Sequence, residues 1–78
     1  MQKWEFDPEK EEIERKTEIL GGLIGRKIEI ISVRRKSKAF GYMTLREKEV
    51  LEKIENGLIK IKYHNKIRIS KIISIREF

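Results

Sequence analysis

Leu58-Ile59-Lys60-Ile61-Lys62-Tyr63 alternates apolar and cationic residues, pauses at His64-Asn65-Lys66, and resumes the alternation at Ile67-Arg68-Ile69-Ser70. A side-chain period of two belongs to a β-strand with one face buried and the other wet. These residues therefore predict a hairpin with its tip at 64–66. The wet side is cationic: Lys60, Lys62, Lys66, Arg68 and Lys71 have no acid among them. A chain built around such a hairpin packs a core with one face and offers a positive surface with the other.

The chain has 78 residues, enough for one small domain near the lower limit of what folds unaided. It has no cysteine, so no disulfide or thiolate metal site supports it. The N-terminus is acidic and has no apolar segment, unlike a signal peptide. No apolar run approaches the roughly 20 residues of a membrane span, so a cytoplasmic protein with no membrane partner is expected. Abundant Lys and Glu with few amide side chains also fits a thermophile. Charge divides the chain in two. Residues 1–20 hold seven acids and four bases, a net of −3, which leaves +9 of the chain's +6 for residues 21–78. The expected layout is a single domain, with an acidic helical segment at 1–24 and a basic β-rich body at 25–78. A basic body of this kind suits a polyanion, although a lysine-rich surface also serves solubility alone.

Asp7-Pro8-Glu9 reads as a helix start, with Asp7 as cap, Pro8 at the first helical position, and Glu9, Glu11 and Glu12 at the positive end of the dipole. Ile13, Thr17, Leu20 and Ile24 fall on one face, and Gly21-Gly22 ends the helix or bends it. Trp4 and Phe6 precede it as a staple onto the body. Residues 27–34 read as a β-branched strand, 35–38 as a basic turn, and 39–45 as a second strand in which Gly41 marks a bulge, a bend or a close backbone approach. Residues 46–57 sustain two readings. Strong helix formers, the capping box Thr44-Leu45-Arg46-Glu47 and the Asn56-Gly57 stop favour a helix. Asn-Gly is also the preferred two-residue hairpin turn. Folding back about it sets Ile54 opposite Ile59, Val50 opposite Tyr63 and, unfavourably, Lys53 opposite Lys60. Ile72, Ile73 and Ile75 form a closing strand.

Little here supports catalysis. Asp7 is the only aspartate and His64 the only histidine, the latter at a hairpin tip. No ligand spacing suits a metal, and Gly21-Gly22-Leu23-Ile24-Gly25 lacks both the phosphate-loop lysine and the dinucleotide fingerprint. No catalytic residue, metal or cofactor is expected. Two basic clusters remain as candidate nucleic-acid contacts: Arg26, Lys27, Arg34, Arg35, Lys36 and Lys38, and then Lys60, Lys62, Lys66, Arg68 and Lys71. His64, Tyr63 and the Arg35 guanidinium suit stacking on unpaired bases. Tyr63 equally continues the apolar face of Ile59 and Ile61, which would make it core.

From Glu18 onward the order of features resembles the Sm-like superfamily of RNA-binding barrels, which have an N-terminal helix and then a strongly bent five-stranded sheet. Residues 23–30 look like its helix-to-first-strand passage and Phe40-Gly41-Tyr42-Met43 like its glycine-marked second strand. Residues 61–70 resemble the fourth strand and turn of the bacterial RNA-chaperone branch, and 72–75 would close the barrel. The family's Asp and Asn after the second strand have no counterpart near Arg46-Glu47-Lys48, so its base pocket is not implied; its ring assembly is. Two other resemblances compete. Residues 45–51, Gly57 and Ile69-Ser70 resemble the opening of a LuxR-type helix-turn-helix, at the price of making 58–69 helical. Residues 20–24 and 50–54 resemble the helices of a LAGLIDADG homing-endonuclease half, in α-β-β-α-β-β order, without its metal-binding acid.

The expected fold is mainly β with an N-terminal helix: a small, strongly bent antiparallel barrel, Sm-like or SH3-like, with an α+β arrangement as the alternative. The expected function is non-enzymatic binding of nucleic acid, RNA before DNA. The alternatives are a catalytically inactive DNA-binding protein, or a subunit of a larger assembly docked through the acidic helix with Trp4 and Phe6.

Overall fold

The structure, a computed structural model, describes residues 2–78. The elements in chain order are β1 (Lys3–Glu5), α1 (Ile13–Gly21), β2 (Lys27–Ser37), β3 (Gly41–Glu55), β4 (Leu58–Ile61), β5 (Ile67–Arg68), one 3-10 turn (Ile69–Lys71) and β6 (Ile72–Glu77). The strands form one antiparallel sheet in the order β1-β6-β2-β3-β4-β5, which does not close. The mainly β reading with one helix therefore holds at the level of class. Among the described residues no helix is long and apolar enough to cross a membrane.

Residues 46–55 are strand, and their local helix propensity is overridden. β3 runs for 15 residues, which at about 3.3 Å each would span about 50 Å if straight. That exceeds the molecule's longest dimension of 37 Å, so the strand must bend. Its first part, to Val50, pairs with β2 and its last part pairs with β4. The change of partner comes at Leu51, beside a register shift between Leu51 and Lys53 that leaves Glu52 as a bulge. A strand at 46–55 removes the helix that both the helix-turn-helix and the homing-endonuclease readings required, and β4 and β5 occupy the former's second helix.

The core holds Phe6, Leu20, Leu23, Leu51 and eight isoleucines, including Ile28 and Ile30 of β2, Ile59 and Ile61 of β4, and Ile72 and Ile75 of β6. β-Branched side chains suit a pleated, half-buried surface, and the period of two places them inward. The Asn56-Gly57 turn has positive φ at both residues, 51° and 74°, the geometry that Asn-Gly favours. It sets Ile54 opposite Ile59 and Lys53 opposite Lys60 as expected.

Val50 does not face Tyr63. The Glu52 bulge shifts the register, and β4 stops at Ile61. Lys62 N donates to Val50 O, and His64 N donates back to Ile61 O at 3.0 Å, which closes a turn. Tyr63 takes φ 69° in that turn, and its ring is 79% exposed and not in the core. The second half of the expected hairpin is likewise short. Ile67 and Arg68 pair with β4, Ile69 N adds one further bond in the same register to Gly57 O, and the chain then enters the 3-10 turn.

The helix starts late. Asp7 Oδ1 accepts from Glu9 N at 2.8 Å and Asp7 O from Lys10 N at 3.0 Å, so this segment forms a turn. Helical residues begin at Ile13 and end, as expected, at Gly21. The buried face carries Lys16 and Leu20, while Ile13 and Ile24 are exposed. Phe6 does act as a staple: its N–H pairs with Ile73 O, and its buried ring lies under Arg15 and Lys16. Lys16 Nζ donates to Ser70 O at 3.3 Å, joining helix to 3-10 turn. Burial lowers its pKa, against the opposing pull of Glu12 and Glu11.

The basic turn moves outward. β2 continues through Ser37, and the turn is 38–40. Ser37 Oγ accepts from Ala39 N and Phe40 N, both at 3.3 Å. Gly41 begins β3 with φ 75° and is not a bulge. The bulge in this hairpin is at Arg34, between Val33 and Arg35.

Candidate nucleic-acid interface

β6 begins at Ile72, opposite Ser32 of β2. Beyond Ser32 the β6 side of β2 has no strand beside it, and the β2–β3 hairpin continues as a two-stranded ribbon. The Arg34 bulge twists the ribbon at its base. Next to that unpaired edge lie β5 and the 3-10 turn, and between them is a groove of about 200 Å³. Its charged lining is Arg34, Lys66, Arg68 and Lys71, with no acid; Ile67 and Ser32 contribute to the wall. The groove thus unites members of both basic clusters, far apart in sequence.

The other candidates go elsewhere. Arg26 forms an ion pair with Glu77, and Lys27 opens β2 opposite Val50. Seven residues separate Lys27 from Arg34, about 23 Å of strand, so these two cations sit at the far end of the sheet. Lys60 serves the fold: its ammonium donates to Ile61 O at 3.0 Å and also to His64 O, bracing the turn that projects Tyr63. Lys62 lies over the Tyr63 ring, 5.1 Å from its centroid. Arg35 Nε donates to Met43 Sδ at 3.0 Å on the ribbon, and Lys38 is exposed in its turn.

Two carboxylates tie these cationic turns down. Glu9 Oε1 lies 3.3 Å from Lys36 Nζ and accepts from the Tyr42 hydroxyl. Lys36 and Tyr42 are cross-strand partners, so Glu9 grips both strands of the ribbon. The Tyr42 hydrogen bond, then Lys36, hold the Glu9 carboxyl below its usual pKa. Glu9 in turn raises the pKa of Lys36 and of Tyr42. The second carboxylate is Glu47, whose side chain is 9% exposed. His64 Nδ1 stands 3.3 Å from Glu47 Oε2, but the contact lacks hydrogen-bond geometry and Oε2 has no hydrogen-bond partner. His64 therefore faces a buried carboxylate as well as solvent.

Sequence reasoning missed three of these roles. Glu9 read as a dipole acid, and nothing local marks its reach of 27 residues to Lys36. Glu47 read as a helix former. The signal was the strand alternative, in which Leu45, Glu47 and Leu51 share one face. Phe40 read as a strand residue, whereas it occupies the ribbon tip with 85% exposure. Among the described residues, no three His, Cys, Asp or Glu side chains are grouped to hold a metal ion. No family model, curated protein or solved structure matches this chain.

Proposed function

We propose that this domain binds nucleic acid, RNA in preference to DNA, without catalysis, and that the phosphate backbone lies in the groove of Arg34, Lys66, Arg68 and Lys71. The observation that carries this reading is the composition of that groove: four cations, no acid, drawn from two distant segments. Lysine and arginine on an open groove supply sequence-independent phosphate contacts. The succession of a helix and five strands, β2 to β6, with β3 bent, supports an Sm-like or SH3-like relationship as part of the same proposal. The alternative, docking of the acidic segment on a larger assembly through Trp4 and Phe6, has less to offer a partner. Phe6 is committed to the core, and Trp4 packs against it opposite Ile75.

The test is a salt titration with labelled single-stranded RNA. Four phosphate contacts on a single strand predict a slope of log K against log salt of about −3. Replacing Lys66, Arg68 and Lys71 together with Ala should weaken binding at least about tenfold and flatten the slope by about 2. Equal affinity of the triple variant, or binding indifferent to salt, would overturn the groove as the site.

A further inference from the structure

The ribbon formed by the outer parts of β2 and β3 ends in a ring with no function in the fold. Phe40 is 85% exposed and touches no part of the core. The other exposed rings are covered by the chain's own cations: Lys62 lies over Tyr63 at 5.1 Å, and Lys48 and Arg76 over Phe78 at 3.9 and 4.9 Å. Among the described residues no cation lies over Phe40. Around it, residues 33–44 carry Arg34, Arg35, Lys36 and Lys38 and no acid. The tip is a built turn, closed by Ser37 Oγ on two backbone N–H groups. Glu9 holds the ribbon from the side through Lys36 and Tyr42. A bare aromatic ring on a held ribbon whose own residues are basic, with Glu9 contacting it only through Lys36 and Tyr42, is complementary to a polyanion that has exposed aromatic faces of its own. Single-stranded nucleic acid has that chemistry.

The ribbon is also continuous with the groove. Arg34 is both a groove residue and the bulge at the ribbon's base. Three residues of strand separate it from Ser37, about 10 Å, so a strand whose backbone leaves the groove at Arg34 reaches the tip within a few nucleotides. We propose that the ribbon is a base-stacking finger, with Phe40 stacking on an unpaired base of the strand whose phosphates occupy the groove. This rests on the nucleic-acid reading above and adds to it a substrate class, single-stranded, and a contact that is not electrostatic. The finger recognises a base by its face, so it is tolerant of sequence but requires an unpaired base.

The experiment measures binding of the full chain to a labelled RNA of about 12 nucleotides, to the same strand with abasic sites, and to duplex DNA. Phe40→Ala should weaken binding to the intact single strand by about tenfold, the lower-middle of the range for loss of one stacked base, with an unchanged salt slope. It should have little effect on the abasic strand. Phe40→Trp in a Trp4→Phe background should retain affinity, and its fluorescence should be quenched by the intact strand. Wild-type affinity for Phe40→Ala together with an intact salt slope would overturn the finger and leave the groove standing. A Phe40→Ala loss equal on intact and abasic strands, or confined to duplex DNA, would overturn base stacking on a single strand. Failure of the wild type to bind any of the three would overturn the nucleic-acid reading itself.

Discussion

The β2–β3 ribbon and the β4–β5 turn each carry lysines, each display an exposed aromatic ring, and each have one carboxylate against them, but the two carboxylates stand in opposite surroundings. Glu9 has a side chain 64% exposed and satisfies two partners, Lys36 and Tyr42. Glu47 is 9% exposed and faces only His64, itself 35% exposed, with one oxygen left without a hydrogen bond. The exposed tie is screened by salt and contributes little to global stability. The buried one has an oxygen with no hydrogen bond and the imidazole as its polar neighbour, so that neighbour matters more. The ribbon is thus held by an adjustable contact, and the Tyr63 turn by one built into the sheet.

The largest effect should come from breaking the buried tie. His64→Ala should destabilise the domain by about 1 kcal/mol, since it removes a half-buried imidazole lying against a carboxylate to which it makes no hydrogen bond. Urea denaturation checks it. Glu47→Leu, on the face shared with Leu45 and Leu51, should restore most of that loss in the double variant; a double variant no more stable than His64→Ala would show that the carboxylate is not the cause. Lys16 sharpens the contrast as a second buried ionisable side chain. Lys16→Met should be neutral or stabilising by about 1 kcal/mol. In the wild type, the folded state binds fewer protons than the unfolded one between the depressed Lys16 pKa and the ordinary value of 10.5. Stability should therefore rise with pH across that window, and the rise should vanish in Lys16→Met.

The smallest effect belongs to the exposed tie. Glu9→Gln should leave the unfolding midpoint unchanged and speed amide exchange only in the ribbon, a local opening. The Glu9 carboxyl is depressed in the folded state, so its contribution is present above the ordinary carboxylate range and is lost as pH falls through the depressed value. Acidification should loosen the wild-type ribbon, followed by the Tyr42 ring signals in NMR, and should have no such effect in Glu9→Gln. If the ribbon resonances respond alike in both proteins, Glu9 is not its tie.

What could be read in the sequence follows range of interaction. The alternation at 58–61, the Asn56-Gly57 turn and the Gly21-Gly22 stop are local devices, and the structure repeats them. Residues 46–55 were ambiguous because Glu, Lys and Leu are locally suited to a helix, and only the long pairing with β2 makes them strand. Asp7 shows the same limit: its turn and cap chemistry are alike locally, and the distant grip of Glu9 on the ribbon accompanies the turn. For the candidate site, Arg34, Lys66 and Arg68 were legible as basic but not as neighbours, since their meeting depends on where β6 begins. Lys60 was legible as a wet lysine, but its use in bracing the Tyr63 turn depends on carbonyls exposed by that turn.

β1 has a consequence out of proportion to its three residues. It pairs Lys3, Trp4 and Glu5 with Arg76, Ile75 and Ser74 and so occupies the outer side of β6. The opposite border of the sheet, β5, is two residues long. Ring assembly of strands from neighbouring copies requires a vacant border on each side. With β1 in place the two borders of the sheet are three and two residues long. Detaching residues 2–6 would uncover the six residues of β6, a template for another chain. The short N-terminal strand thus replaces a six-residue sheet border with a three-residue one.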